Sequence, residues 1–338
     1  MTRSTSAPAT STDEAFAEFD EALKLDPDER ARAERIHGEI AELLIGKGLA
    51  TSAFLQGSFR RKTMIKPLRD VDKVVILHES LRGLNPSVVM DRIEQVLSLE
   101  YPSATFGRTR HSLKIDLGPK SFDFDVVPAW ESETDDDDVF IADTEPVAGS
   151  DGWMRSNTRE LIRVVAGRNQ ETGGAFIRQI RMAKHVLKEQ LDGVVPGLHV
   201  ESWAFLAIVE AVPHDKALAM ILRNAADRIG RHYDEPTGVD RISDRLDTAV
   251  VDAARPILLL LASRAAEARV LAEAGDHVEA VRVWREVCGD LFHEGPAQSV
   301  SDALGRSFNG GAVTSAGTVS ATPAAAQRSI PARSWRLA

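Results

Sequence analysis

Residues 56–77 have the sequence QGSFRRKTMIKPLRDVDKVVIL, and this stretch decides the fold. Its final part, Asp70–Leu77, predicts a β-strand entering the core, because an apolar run follows two acids. Since side chains alternate along a strand, Asp70 and Asp72 should point to one face, about 7 Å apart at the backbone. Acids at the start of a strand ordinarily indicate only an exposed edge, so their meaning depends on what lies nearby.

A third acid, Asp125, begins another apolar run. It lies in SFDFDVVPAW (residues 121–130), which predicts a strand paired in a hairpin with HSLKIDL (residues 111–117). Three carboxylates brought together repel one another unless a cation lies among them. Mg²⁺ suits this position because it prefers hard oxygen ligands and substrate phosphates. The pattern therefore indicates a two-metal phosphoryl-transfer site.

Gly57-Ser58 supplies groups that suit a phosphate. A glycine allows close approach of the backbone, and the serine hydroxyl and nearby N–H groups can donate to phosphate oxygens. Such a dipeptide usually marks an ordinary turn, but this one lies shortly before the two acids, so we expect a triphosphate cradle. Five basic residues lie between this dipeptide and the acids, in what should be an exposed loop, and we expect one or two of them to touch ligand. They are Arg60, Arg61, Lys62, Lys66 and Arg69.

The rest of the chain divides into a strand-rich part and a helical part. A helix is predicted from the cap Asp26 to Gly46 or Gly48, and another over PSVVMDRIEQVLSLE. Residues 131–138 (ESETDDDD) should form an exposed acidic loop. Beyond about Trp153 the pattern is helical, and we expect the last long stretch, residues 248–291, to be broken at Pro256 and Gly275. The helical segments are RELIRVVAG, AFIRQIRMAKHVLKEQ, ESWAFLAIVEAV and KALAMILRNAADRI.

This order of elements predicts an α+β fold in which a strand-rich lobe is followed by a helical lobe. We expect a disordered lead-in (residues 1–12), a sheet lobe (13–150), a helical lobe (151–308) and a flexible C-terminal tail (309–338).

Composition limits the possible functions. The chain has 338 residues with 41 Lys+Arg against 51 Asp+Glu, a net charge of −10, which argues against stable binding of duplex nucleic acid. No apolar run is long enough to cross a bilayer, and no secretion signal begins the sequence. The lone Cys288 agrees with a reducing compartment, so we expect a cytoplasmic protein without membrane contact. No zinc, P-loop or serine-hydrolase motif is present.

The combined motif resembles a known family. The pattern G-S-x4-T-x6-D-x-D, followed by F-D-V-V-P-A, is similar to the polymerase-β-type nucleotidyltransferase signature. The resemblance is to the branch of oligoadenylate synthetases, cyclic GMP-AMP synthase and the bacterial CD-NTases of the SMODS type. It implies a polymerase-β-like catalytic sheet lobe (13–150) followed by an oligoadenylate-synthetase-like, nucleotide-binding helical lobe (151–308), with a central cleft between them. It also favours Asp125 over Asp116 and Asp123 as the third catalytic acid, with Asp123 as a neighbour.

The resemblance implies further site residues. Asp70, Asp72 and Asp125 would bind two Mg²⁺ ions, for which Mn²⁺ could substitute, and would catalyse attack on an NTP. Lys184 would contact phosphate, although such a lysine is ordinarily a solvated helix residue. Ser202 and Trp203 would contact the nucleotide, with the indole stacked on the base, although such a tryptophan is ordinarily a core residue. The remaining nucleotide-binding positions are Gln56, Gly57, Ser58 and Thr63.

The implied function is synthesis of a cyclic di- or trinucleotide second messenger from ATP, GTP or both, in CBASS anti-phage signalling. The chain end RSWRLA would then serve as a handle for a ubiquitin-conjugating-like partner. Two other functions stay open. A template-independent, CCA-adding-like RNA nucleotidyltransferase would bind tRNA in a gel shift, and an inactive nucleotide-binding sensor would release no pyrophosphate.

Overall fold

The structure is a computed structural model, which describes residues 11–118 and 122–293. It is a mixed α+β architecture, as the sequence predicts. The strands are β1 (Ala50–Leu55), β2 (Asp70–Leu77), β3 (Thr105–Arg108), β4 (Leu113–Asp116), β5 (Asp123–Glu131), β6 (Val139–Ala142) and β7 (Trp153–Ser156). The first four helices are α1 (Thr12–Leu23), α2 (Pro27–Gly46), α3 (Gly57–Arg61) and α4 (Pro86–Glu100). The later helices are α5 (Thr158–Glu171), α6 (Ala175–Gln190), α7 (Gly197–Ala207), α8 (His214–Arg228), α9 (Thr248–Glu273) and α10 (His277–Cys288).

The described strands form one sheet with the order β1-β2-β5-β4-β3, and β6 joins β5 to β7. β2 and β5 are parallel neighbours, whereas the other pairs are antiparallel. The first half of β5 pairs with β4, as the predicted hairpin requires, and its second half pairs with β6. The short strands β3, β6 and β7 were not predicted from the sequence, because four residues give too little alternation to recognise.

Side-chain alternation sorts β2 between the two faces of the sheet. Val71 and Val75 pack in the main core of the sheet lobe, while Val74 and Ile76 belong to a smaller cluster on the opposite face. Lys73 shares the main-core face, is fully buried, and donates to the carbonyl of His37 on α2. Burial lowers the pKa of this lysine to about 7.

The two lobes have separate cores. The helical core includes α5 to α10 and is built on fully buried side chains such as Phe176 and Trp284. α2 and α4 cover the sheet, and each begins with a proline after a capping side chain: Asp26 accepts from the N–H of Asp28, and Asn85 from that of Ser87.

One segment lies in a different lobe from the one expected. Residues 12–23 form α1, which packs in the helical core instead of the catalytic lobe. The rings of Phe16 and Trp284 meet edge to face at 5.0 Å, and the fully buried Asp20 forms ion pairs with Arg178 and Arg181 on α6. Ser11 already caps this helix, so the expected lead-in ends before it; residues 1–10 lie outside the described residues.

The expected break at Pro256 is wrong, whereas the break at Gly275 is present. α9 continues through Pro256, which lies on the exposed face of the helix. A proline removes one N–H from the helical ladder, and the freed carbonyl can bond to water on such a face.

Two other expectations concern the parts of the chain beyond these elements. The tail at 309–338 and the end of the helical lobe, 294–308, lie outside the described residues. Among the helices of residues 11–118 and 122–293, none combines the length and the apolar character that crossing a membrane requires.

We predict that Phe19→Ala destabilises the protein by about 3–5 kcal/mol, because Phe19 is fully buried in the helical core and its truncation would leave a cavity there. Thermal unfolding should show a lower melting temperature for this variant. Leu99→Ala is the matched control, since Leu99 is 82% exposed and its truncation should change little. Equal melting temperatures for the two variants would contradict the packing of α1 described above.

Candidate functional site

The predicted acids lie at the start of the two parallel strands. In the register of β2 and β5, Asp72 is opposite Asp125 and Asp70 is opposite Asp123. Paired residues of neighbouring strands point to the same face, so all of these carboxylates share one face of the sheet. They come from residues about fifty positions apart in the chain, and the parallel pairing alone brings them together.

Asp70, Asp72 and Asp125 line a cavity of about 760 Å³ between the sheet lobe and the helical lobe, within the size range of small-molecule sites. The sheet lobe contributes Ser58, Arg69, Asp70, Asp72 and Asp125, among others. The helical lobe contributes residues of α6, α7 and the loop that joins them, including Lys184, Lys188, Asp192, Pro196 and Gly197. The site therefore has an acidic wall and a partly basic wall.

Gly57 is required by the close approach of α3 to Asp72. Its φ is +65°, and a Cβ built on it would lie 1.8 Å from Oδ2 of Asp72. The backbone N–H of Gln56 donates to the carbonyl oxygen of Asp72 at 2.9 Å, which fixes the turn against β2. As a result Ser58, the next residue, lies at the cavity wall beside the acids.

Electrostatic repulsion acts between the paired acids. Burial raises the pKa of Asp72 to about 6, and the nearby Asp125 adds to this shift. Burial likewise raises the pKa of Asp125, against the opposing effects of the Lys114 charge and a hydrogen bond donated by Ser112 at 3.2 Å. Both shifts show that the ionised form of this pair is costly in the protein as it stands.

Lys114 on β4 neutralises the other two acids of this face. Its Nζ lies 3.2 Å from Asp70 and 3.1 Å from Asp123, and these carboxylates, Asp123 foremost, raise the pKa of the lysine. Asp123 is thus engaged by a cation, as Asp70 is, whereas Asp125 accepts a hydrogen bond from the Ser112 hydroxyl. Asp125 lines the cavity and Asp123 does not, which favours Asp125 as the third acid of the site.

The acids fit a divalent cation in chemistry, although they are not preassembled around one. Within residues 11–118 and 122–293, no three His, Cys, Asp or Glu side chains already stand close enough to hold a metal ion. The mutual repulsion of Asp72 and Asp125 is what a cation would relieve, and carboxylate oxygens are the ligands Mg²⁺ prefers. Asp70 could join them by leaving Lys114.

A buried network of charged groups lies behind Asp72. Arg61 donates to Glu201 from Nε at 2.7 Å, Thr63 donates to it at 2.7 Å, and Lys184 donates to both Glu201 and Thr63. Burial alone would raise the pKa of Glu201, but Arg61 and Lys184 hold it at about 2. The carboxylate is therefore ionised, and the network joins the two lobes.

The structure brings together only some of the residues predicted from the sequence. Ser58 and Lys184 line the cavity with the three acids, whereas Thr63 is fully buried behind it in the Glu201 network. Trp203 is fully buried in the helical core against His199 and Tyr233, so it offers no face to a base. Ser202 is also buried, and its hydroxyl donates to the carbonyl of Leu198 one turn earlier. The expected nucleotide contacts of Ser202 and Trp203 are therefore absent from this site.

Sequence reasoning missed Glu201, Lys114 and the role of Arg61. Glu201 is an acid within the apolar segment VESWAFLAIV, which was a signal that it needs a buried partner. That partner lies 140 residues away, so no local pattern could identify it. Lys114 alternates with apolar residues in LKID, and its neighbours on β5 and β2 become known only with the register.

The chain was compared with known families and structures. Residues 10–169 match the family described as the Second Messenger Oligonucleotide or Dinucleotide Synthetase domain, SMODS. No curated protein sequence matches the chain significantly.

Several solved structures share the fold. The CD-NTase CdnG of Bradyrhizobium diazoefficiens, in complex with GTP, has a TM-score of 0.64 at 15% identity, over 80% of this chain and 97% of that one. Vibrio cholerae DncV in its apo form has a TM-score of 0.64 at 13% identity, over 86% and 100%. Escherichia coli MS115-1 CdnC, in complex with HORMA-deltaN, has a TM-score of 0.62 at 15% identity, over 83% and 98%.

The fold, the paired acids and the SMODS domain define the class of protein: a nucleotidyltransferase that makes oligonucleotide or dinucleotide second messengers. Residues 10–169 carry that domain and the described fold is shared with bacterial CD-NTases, so the resemblance seen in the sequence motif is confirmed.

We predict that Gly57→Ala abolishes turnover, because its Cβ would collide with the Asp72 carboxylate and its φ disfavours any side chain. The measurement is pyrophosphate release at saturating nucleotide. Gly46→Ala is the matched control, since a Cβ at Gly46 has nothing within 4 Å. Normal turnover of Gly57→Ala would show that Asp72 does not need its present position.

A pH dependence follows from the raised pKa of Asp72. Between the unfolded pKa near 4 and the folded value of about 6, the folded chain binds more protons, so its stability falls as pH rises. Asp72→Asn removes this effect. Without divalent cations, the variant should melt about 2–5 °C above the wild type at pH 7.5, and the difference should shrink from pH 6 to pH 4. Asp116→Asn, on the same face but exposed, is the control; an equal gain there would refute the assignment.

Proposed function

We propose that this chain joins ribonucleoside triphosphates into a cyclic di- or trinucleotide and releases pyrophosphate. The observation that carries the proposal is the register of β2 and β5, which sets Asp72 opposite Asp125 at a cavity shared with Ser58 and Lys184. Acidic groups at one wall and phosphate-binding groups beside them are what phosphoryl transfer needs. ATP and GTP are the expected substrates.

Each residue has a distinct task in this mechanism. Ser58 and Lys184 donate to the triphosphate and orient its α-phosphate for in-line attack by a ribose hydroxyl. Asp125 accepts the proton of that hydroxyl, a task that its raised pKa favours. Asp70, Asp72 and Asp125 would hold two Mg²⁺ ions, or Mn²⁺ in their place, which when bound supply charge neutralisation for the attacking and leaving oxygens.

Closure of the ring repeats the same step on the linear product. The first transfer leaves a 5′-triphosphate at one end and a free ribose hydroxyl at the other. If the cavity holds both ends, that hydroxyl attacks the remaining α-phosphate and a second pyrophosphate leaves. The cavity between the two lobes, of about 760 Å³, lies within the size range of small-molecule sites.

The proposed biological role is second-messenger synthesis in CBASS anti-phage defence, in the cytoplasm where nucleoside triphosphates are abundant. The support is the SMODS domain of residues 10–169. A ubiquitin-conjugating-like partner at the tail remains part of this proposal, although the tail lies outside the described residues.

We predict that Asp70→Asn, Asp72→Asn and Asp125→Asn each lower turnover at least about 100-fold, because each removes a charge needed at the reacting phosphate. Asp123→Asn should have a milder effect, since Asp123, unlike Asp70, does not line the cavity. The measurement is mass spectrometry of products from all four NTPs with Mg²⁺, with melting temperature as the control for folding.

Several outcomes would contradict the proposal. A larger loss for Asp123→Asn than for Asp125→Asn would make Asp123 the third acid. Addition of nucleotides to tRNA in place of cyclic products would indicate an RNA nucleotidyltransferase. Nucleotide binding without pyrophosphate release by the wild type would indicate a sensor.

A further inference from the structure

The carboxylate of Glu201 is the centre of a buried hydrogen-bond network. It is fully buried and accepts four hydrogen bonds, from Arg61 at 2.7 and 3.2 Å, Thr63 at 2.7 Å and Lys184 at 2.5 Å. Both oxygens are occupied, so the side chain has one orientation. A carboxylate held in this way fixes the position of every group that donates to it.

Two cations, Arg61 and Lys184, lie against the Glu201 carboxylate, and the second acid beside them is Asp72 at the cavity. Burying such charges costs desolvation energy, and well-packed apolar side chains would often be at least as stable. Stability alone therefore does not account for the network, whereas its lysine lines the cavity, where the phosphates of a substrate would meet an ammonium group.

Helix α7 contacts Lys184 along its stem and at its ammonium group. Gly197 and Glu201 are four residues apart on this helix and so share one face. A Cβ at Gly197 would lie 3.1 Å from Cε of Lys184, which shows how closely the lysine stem lies against the helix start. Glu201 then receives the ammonium group one turn further along. Burial lowers the pKa of Lys184, and the Glu201 charge opposes this shift.

The network also sets the distance between the two walls of the cleft. Arg61 and Thr63 follow directly on the Ser58 turn of the sheet lobe, whereas Lys184 and Glu201 belong to helices of the other lobe. Because Glu201 binds residues of both lobes, it fixes the lysine ammonium relative to the serine hydroxyl. Two donors at a fixed separation can bind one triphosphate without first being ordered.

We propose that Glu201 is a positioning residue. It holds the Lys184 ammonium at the cleft wall, at a fixed separation from the Ser58 hydroxyl, so that both groups can bind the triphosphate of the substrate. This inference rests on the proposed function and adds a specific role for a residue outside the reacting groups.

The test is a double-mutant cycle on binding of a non-hydrolysable ATP analogue, with wild type, Glu201→Gln, Lys184→Ala and the double variant. Glu201→Gln should weaken analogue binding about tenfold, the size expected for one charge-assisted contact. The double variant should bind no more weakly than Lys184→Ala, because Glu201 acts through that lysine. In steady-state assays Glu201→Gln should raise KM more than it lowers kcat.

A second variant separates positioning from folding. Gly197→Ala keeps every charge but places a methyl group against the Lys184 stem, so it should also weaken analogue binding while leaving the melting temperature near that of the wild type. It decides the matter if Glu201→Gln fails to fold. Leu206→Ala on the same helix, at a 43% exposed position away from the cavity, is the control and should bind as the wild type does.

The outcomes separate the two proposals. Wild-type protein that does not bind the analogue overturns the proposed function, and this inference with it. The positioning role alone is overturned if the wild type binds the analogue, Gly197→Ala binds it equally well, and Glu201→Gln either binds normally or does not fold. Additive losses in the cycle would do the same, since they would show that Glu201 does not act through Lys184.

Discussion

Two carboxylates facing each other across a pair of parallel strands are the constraint on which the site depends. Like charges directly opposite each other destabilise a sheet, so Asp72 and Asp125 need compensation from their surroundings. Ser112 donates to one of them, Lys114 neutralises the adjacent acids, and Gly57 leaves room for the other to turn into the cavity. The site therefore depends on Ser112, Lys114 and Gly57 as much as on the two strands.

The parts of the fold that depend on local pattern were predictable from the sequence. The alternation in DVDKVVIL placed two acids on one face, and the cap Asp26 before Pro27 gave the start of α2. Pro256 misled because the sequence cannot show that its side of α9 faces water. α1 was assigned to the wrong lobe because its partners, such as Trp284, are far away in the chain.

Much of the site that escaped prediction consists of contacts between the lobes. A serine followed by an aromatic residue suggested that Ser202 and Trp203 face the nucleotide, but the preceding residue, Glu201, is the one that reaches the cleft network. A helix turns by about 100° per residue, so a shift of one position exchanges the cleft face for the core. Sequence alone fixes the spacing of such residues and leaves the rotation of the helix undetermined.

The packing of α1 has a consequence for the order in which the protein folds during synthesis. The elements of the sheet lobe, from α2 to β7, are continuous in the chain, so this lobe can fold as soon as residue 156 has left the ribosome. α1 leaves first, yet Phe16 packs against Trp284 and Phe292, which leave among the last of the described residues. Its apolar face therefore stays without its final partners through most of translation, and the helical lobe closes only when α10 arrives.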